Sequence, residues 1–204
     1  MYQLKLEIAN SSHELSLRNF ISRMSVQEKE NLLGDAEIFF FQAIKNSNLF
    51  VAIDGKDVIA LSAVDPLGDD LIETRTCFVL PEYRGLGLQR IMHEVRAINI
   101  RQRWGYECVA VSAVKRSTLA TRENLLALGF KLWNEPDKRV FSPCKRCQAF
   151  DLSKNTNCCC DFFYADKNVL AALSDHLIAY PLRNVINSKG IGAWIDCRNF
   201  SNYC

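Results

Sequence analysis

No stretch of this sequence is apolar for long enough to cross a bilayer. Its most apolar run, residues 38–44, falls far short of the roughly 20 residues that a spanning helix needs. Lys5 and Glu7 break the opening residues, so the start does not read as a secretory leader. The expectation is a soluble, cytoplasmic protein without a membrane partner. An excess of one charge is also missing. The net charge is +2, which leaves no broad basic face, and nucleic acid is not indicated as a partner. There is no internal repeat and no low-complexity linker. Hydrophobic residues make up 49% and charged residues 24%, which is globular rather than disordered composition. What the chain has in plenty is cysteine, nine in 204 residues.

The apolar periodicity falls into short blocks. Residues 2–8 alternate and read as a strand. Ser11-x-x-Glu14 and Ser25-x-x-Glu28 are capping-box patterns. Each precedes apolar residues at helical spacing: Leu17, Phe20, Ile21 and Met24, then Leu32 through Ile44. Asp54-Gly55 between two β-rich runs predicts a hairpin. Residues 71–80 form a further strand ended by Pro81. Leu88, Ile91, Met92, Val95 and Ile98 predict a helix stopped by Gly105. A strand over 106–114, a helix over 117–128 and a strand from Phe130 follow. The order β-α-α-β-β-β-α-β-α-β predicts an α+β or mixed α/β fold, a central mixed sheet flanked by helices.

One segment carries chemistry. Val79-Leu80-Pro81-Glu82-Tyr83-Arg84-Gly85-Leu86-Gly87-Leu88-Gln89 runs from a strand through a glycine turn to a helix N-terminus. The first amides of a helix have no intrahelical acceptor, and with the helix dipole they favour a bound anion, typically a phosphate. Arg84 adds a charged donor.

This segment resembles the cofactor motif of the GNAT superfamily of acetyl-CoA-dependent N-acetyltransferases, in which Arg or Gln is followed by two residues, Gly, one residue, then Gly or Ala. Arg84 and Gly87 match, and Gln89 stands where Gly or Ala is usual. The Asp54-Gly55 hairpin and Leu128-Gly129-Phe130 also look like the family. The resemblance covers residues 2–133. It implies that main-chain groups of Phe78 and Val79 meet the pantetheine arm of acetyl-CoA. It also implies that Arg84, Gly85, Leu86, Gly87, Leu88 and Gln89 cradle the pyrophosphate, and that the sheet splays between this strand and the one after the helix. Thr118 stands where the family often has a cofactor-side asparagine. Glu73, 84 − 73 = 11 residues before Arg84, stands where some members carry the base that deprotonates the amine. Leu125 stands where many carry a tyrosine that protonates the leaving sulfur, so that acid is absent, with Asn124 or water in its place. The implied activity is transfer of an acetyl or other short acyl group to a primary amine on a small molecule or protein. The alternative is a CoA-binding module without turnover.

Five cysteines crowd between Cys144 and Cys160. Cys144-x-x-Cys147 is a knuckle suited to tetrahedral zinc, and Cys158 and Cys160 would share a face and complete a four-thiolate site. Free or redox thiols and a disulfide are the other readings. His176 is a fallback ligand. Cys77 and Cys108 fall in strands and read as core. His13 and His93 read as surface, and Arg96, Arg101 and Arg103 as a solvated helix face that otherwise reaches the cofactor's outer phosphate. A boundary is placed after residue 141. Residues 1–141 are the acyl-CoA-binding domain, and 142–204 a Cys-rich, metal-stapled extension with one helical series, Val169, Leu170, Leu173 and Leu177.

Overall fold

The computed structural model describes residues 1–24, 36–142 and 160–201. The strands are β1 (Tyr2–Ile8), β2 (Leu49–Asp54), β3 (Asp57–Pro66), β4 (Leu71–Val79), β5 (Val109–Lys115), β6 (Lys131–Leu132), β7 (Cys160–Ala165), β8 (Leu182–Ile186) and β9 (Gly192–Asp196). The helices are α1 (Glu14–Arg23), α2 (Ala36–Lys45), α3 (Leu88–Trp104), α4 (Leu119–Ala127), α5 (Lys167–Ala179) and α6 (Arg198–Ser201). All nine strands lie in one sheet, in the order β6-β7-β5-β4-β3-β2-β1-β9-β8. β4 with β5 and β1 with β9 are the parallel pairs.

β2 and β3 sit centrally and are buried on both faces, which fits their continuous apolar runs. Their hairpin closes on the two residues Gly55 and Lys56, with Gly55 at φ 61°. Such a tight loop needs the left-handed region that glycine enters without cost. α1 begins differently from the expected Ser11 box. Asn10 caps the 3-10 turn Ser11–His13 that leads into it: its side chain accepts from the Ser12 amide, and the His13 ring accepts from the Asn10 amide, while α1 itself starts on His13 without a side-chain cap bond. That places His13 in the interior, 3.4 Å from Glu7, not on the surface.

The sheet separates two helical layers. Arg75 of β4 lies against Phe39 of α2, and Arg18 of α1 lies over Phe41 of α2. On the opposite face Ser62 of β3 donates to Met92 of α3. α3 is itself covered by α5, so residues 91–100 are buried all round, His93, Glu94, Arg96 and Asn99 among them. The expected solvated face around Arg96 is therefore interior. Arg101 and Arg103, at the helix end, pair outward with Asp175 and with Asn46 and Asn48.

The boundary expected after residue 141 does not divide the described structure. β7 enters the sheet between β5 and β6, and β9 runs beside β1. Phe162, Phe163 and Ala165 of β7 and Leu170, Leu173 and Leu177 of α5 join the cores. The shift from charge to cysteine near Pro136 marks a change in side-chain chemistry, not the end of a hydrophobic core. Residues 160–201 are integral to the sheet and its helical layer.

Candidate functional site

β4 and β5 pair in register only from Leu71 with Val109 to Glu73 with Val111. Beyond that they part, and β5 continues alongside β7 instead. β4 also bulges here. Ser62 opposes Cys77 and Ala63 opposes Arg75, so Thr76 is the extra residue, at φ 40°. A non-glycine in that region is strained, and the bulge turns the rest of β4 away from β5.

The opened space is a groove of about 730 Å³. β4 lines it with Cys77, Phe78 and Val79, the turn with Tyr83, Arg84, Gly85 and Gly87, and α3 with Leu88, Gln89 and Arg90. Thr118, Thr121, Asn124 and Leu128 close the other side. Every residue expected to face the cofactor is therefore here except Leu86, whose side chain is buried in the core and anchors the turn from behind. Cys77 packs against the core as expected and also lines the groove.

At the mouth, α3 starts on Gly87 at φ 73°, with no side chain capping its first amides. Those amides keep their capacity for an outside acceptor. Arg84 Nε donates to the Val79 carbonyl at 3.0 Å, which ties the turn back to β4 and occupies that carbonyl. Tyr83 stacks on Tyr2 and donates to Asp54 Oδ2 at 2.9 Å. Burial and that carboxylate push its phenol well above the ordinary value, so it stays protonated. Asn124 of α4 donates to Gln89 of α3 at 2.7 Å. Thr118 is the cap residue of α4 but makes no side-chain cap bond.

Glu73 does not line the groove. It is the last β4 residue paired with β5, opposite Asp65 of β3 and buried. Arg75 stands between the two carboxylates, its Nη1 2.9 Å from Asp65 Oδ2 and its Nε 3.7 Å from Glu73 Oε2. Alternation along the strand puts Glu73 and Arg75 on the α2 face, while the bulge returns Cys77 to the α3 face. Leu125 is buried and is not among the residues that line the groove, so the position itself supplies no acid.

Two buried polar clusters were not read from the sequence. His93 is buried, and burial first, with Arg96 second, holds its imidazole well below the ordinary value. Arg96 Nη2 meets His93 Nδ1 at 2.7 Å. Glu94, fully buried, gathers Arg90 at 3.2 Å, His176 at 2.9 Å and Arg183 of β8 at 2.6 Å. His176 is thereby committed to a carboxylate. The helical period of α3 was visible, but the second layer that buries its outer face was not.

Of the expected zinc ligands, Cys144, Cys147 and Cys158 lie outside the described residues. Cys160 opens β7 opposite Lys115. Among the described residues no group of three or more His, Cys, Asp or Glu side chains is placed to hold a metal. No described helix is long and apolar enough to cross a membrane.

No protein-family model matches the sequence, and no curated protein sequence is significantly similar to it. Solved structures are similar in fold. An acetyltransferase from Streptococcus agalactiae matches with a TM-score of 0.59 and 16% identity, over 80% of this chain and 98% of its own. A GNAT-family acetyltransferase from Staphylococcus aureus matches at 0.59 and 13%, over 80% and 99%. The N-acetylglutamate synthase of Neisseria gonorrhoeae, solved with coenzyme A and N-acetyl-glutamate, matches at 0.59 and 12%, over 80% of this chain and 35% of its own. The fold is that of the GNAT N-acetyltransferases.

Proposed function

We propose that this chain transfers an acetyl or other short acyl group from acetyl-CoA to a primary amine. The observation that carries this reading is the groove itself. It starts at uncapped helix amides beside Arg84 and runs along β4 to a point where two parallel strands separate. A diphosphate suits the first end, an extended chain suits the strand edge, and the split leaves room for a thioester. Acetyltransferases of the same fold bind CoA, as the Neisseria enzyme does.

The roles follow from position. Amides of residues 85–89 hold the pyrophosphate, with Arg84 beside them. Phe78, Val79 and Thr118 border the arm. Glu73 stands at the apex of the split, on the face opposite Cys77, and draws the amine proton through water. An amine of pKa near 10 must lose that proton before it can attack. The nitrogen then bonds to the acyl carbon, the C–S bond breaks, and its electron pair leaves on the CoA sulfur.

A second reading has a specific observation behind it. Leu125 is buried and inert, and Gln89 with Asn124 bridges the groove, as suits a domain that binds CoA without turnover. Release of free thiol from acetyl-CoA across a panel of amines and peptides separates the two. Tight acetyl-CoA binding with no thiol released on any acceptor would leave the binding module.

A further inference from the structure

Arg96 is the largest fully buried side chain of the described residues, 1% exposed. A guanidinium withdrawn from water is costly unless it is paired with an opposite charge. Arg96 has no such partner among the described residues. Nη1 donates to the Arg75 carbonyl at 3.3 Å, Nη2 meets the neutral side of His93 at 2.7 Å, and Nε has no hydrogen-bond partner. His93 is itself packed edge-on against Phe130. The cluster is a positive charge held in an apolar wall.

Its place in the fold is specific. The Arg75 carbonyl belongs to the β4 bulge, where the split opens. The titratable neighbour that feels Arg96 is the Cys77 thiol, and Cys77 lines the inner stretch of the groove. Arg96 stands 96 − 88 = 8 residues into α3, about 12 Å along the axis from the phosphate end. The titratable and charged groups that line the groove are Cys77 from β4, Tyr83 and Arg84 from the turn and Arg90 from α3, with His93 and Arg96 of α3 buried and Arg96 coupled to Cys77. α4 contributes Thr121, Asn124 and Leu128, none of them charged.

We propose that Arg96 is a positioning residue for the leaving group, a preinstalled cation whose field stabilises the CoA thiolate where it forms beside Cys77. This rests on the acyl-CoA reading above and goes beyond it. It supplies what Leu125 cannot: with no acid at that position, the departing charge is met by a buried charge of opposite sign. Such preorganised electrostatics act without reorganisation at the moment of bond cleavage. His93 keeps Nδ1 as an acceptor and so orients the guanidinium.

The test compares CoA with desulfo-CoA, which lacks only the sulfur, by calorimetry from pH 7 to pH 9. A cation near the sulfur lowers the thiol's pKa in the complex, so the affinity ratio of CoA to desulfo-CoA climbs with pH. Depression by one unit from about 8.5 gives a rise of about sixfold over this range. Arg96→Met, which keeps the volume and removes the charge, should flatten the ratio while desulfo-CoA still binds. Arg96→Lys should restore part of it. A flat ratio in the unaltered protein overturns the proposal, and that measurement needs no variant. A ratio that climbs equally in Arg96→Met overturns it too. Failure of both ligands to bind would remove the acyl-CoA reading itself, and this inference with it.

Discussion

Asn124 Nδ2 donates to Gln89 Oε1 at 2.7 Å, joining α4 to the first turn of α3 across the candidate cofactor groove. Gln89 stands where the family pattern has a residue with little or no side chain. Its amide is thus spent on a neighbour at the phosphate end. Gln89→Ala should release that bridge and clear the helix terminus, tightening CoA binding by about two- to tenfold. An exposed neutral bond contributes only about 0.5–1.5 kcal/mol to the fold, so the variant should stay folded. Calorimetry would detect the change. Weaker binding would instead make the Gln89 amide a ligand of the cofactor.

Gly87 starts α3 at φ 73°, and a Cβ placed there would touch nothing within 4 Å. The restriction is therefore backbone conformation, not space. Gly87→Val should cost about 1–2 kcal/mol of stability and displace the amides that face the phosphate, weakening CoA at least tenfold. Gly87→Asn, which tolerates the left-handed region, should do much less of both. Equal CoA affinity in a folded Gly87→Val protein would take the phosphate away from this turn.

Glu73→Gln should lower kcat by roughly 10²–10⁴ if the carboxylate is the base, with little effect on CoA affinity. Its neighbour complicates the chemistry in a testable way, because Arg75 lies 3.7 Å from Glu73 and 2.9 Å from Asp65. Asp65→Asn should therefore alter activity by shifting Arg75 toward Glu73. An unchanged kcat for Glu73→Gln across pH 6 to 9 would leave Glu73 a structural partner of Arg75.

Glu94 is the buried hub between α3, α5 and β8. Glu94→Leu would strand Arg183 beside a neutral core, and losing one partner of such a pair costs about 3–5 kcal/mol. The double variant with Arg183→Met should recover most of that loss. Urea unfolding of the three proteins measures it. A single-variant cost below about 1 kcal/mol would mean that apolar packing alone holds the last strands to α3.

His93 gives a pH dependence of known sign. Burial and Arg96 hold its pKa well below the ordinary value in the folded chain, while the unfolded ring takes up a proton near pH 6.5. Below that pH the unfolded state binds more protons. The contribution is therefore fully present above about 6.5 and is lost as pH falls, by up to about 1.4 kcal/mol per pH unit. Asp70, Asp137, Asp166 and Asp196 are all held below the usual carboxylate value, so their losses come at lower pH. His93→Gln should flatten the stability curve between pH 6.5 and 5. An unaltered slope would mean that His93 is protonated in the folded protein.

The groove was legible because its parts are contiguous or periodic. A strand, a glycine turn and a helix start occupy residues 77–89, and the hairpin at Asp54-Gly55 shows in its own residues. What escaped was whatever depends on a second layer. The period of α3 marks the face toward the sheet, but His93 and Arg96 are buried by elements that come later in the chain. Cys77 reads as a core strand residue and does pack against the core, but nothing local announces the bulge at Thr76 that also brings it to the groove. β7 looked like tail because its strand partner β5 lies some 50 residues away (Ala113 opposite Phe162), and composition near Pro136 changes without any break in the core.

The pairing of β1 with β9 has a kinetic consequence. Leu4 lies beside Ile195, a separation of 195 − 4 = 191 residues, so this seam joins nearly opposite ends of the sequence. Contacts that distant are entropically slow to close. A chain emerging from the ribosome can assemble the β2–β3 hairpin early, but β1 must wait with one edge unpaired until residues 192–196 arrive. The interval between those two events is when this protein is most open to proteolysis and to pairing with the wrong strand.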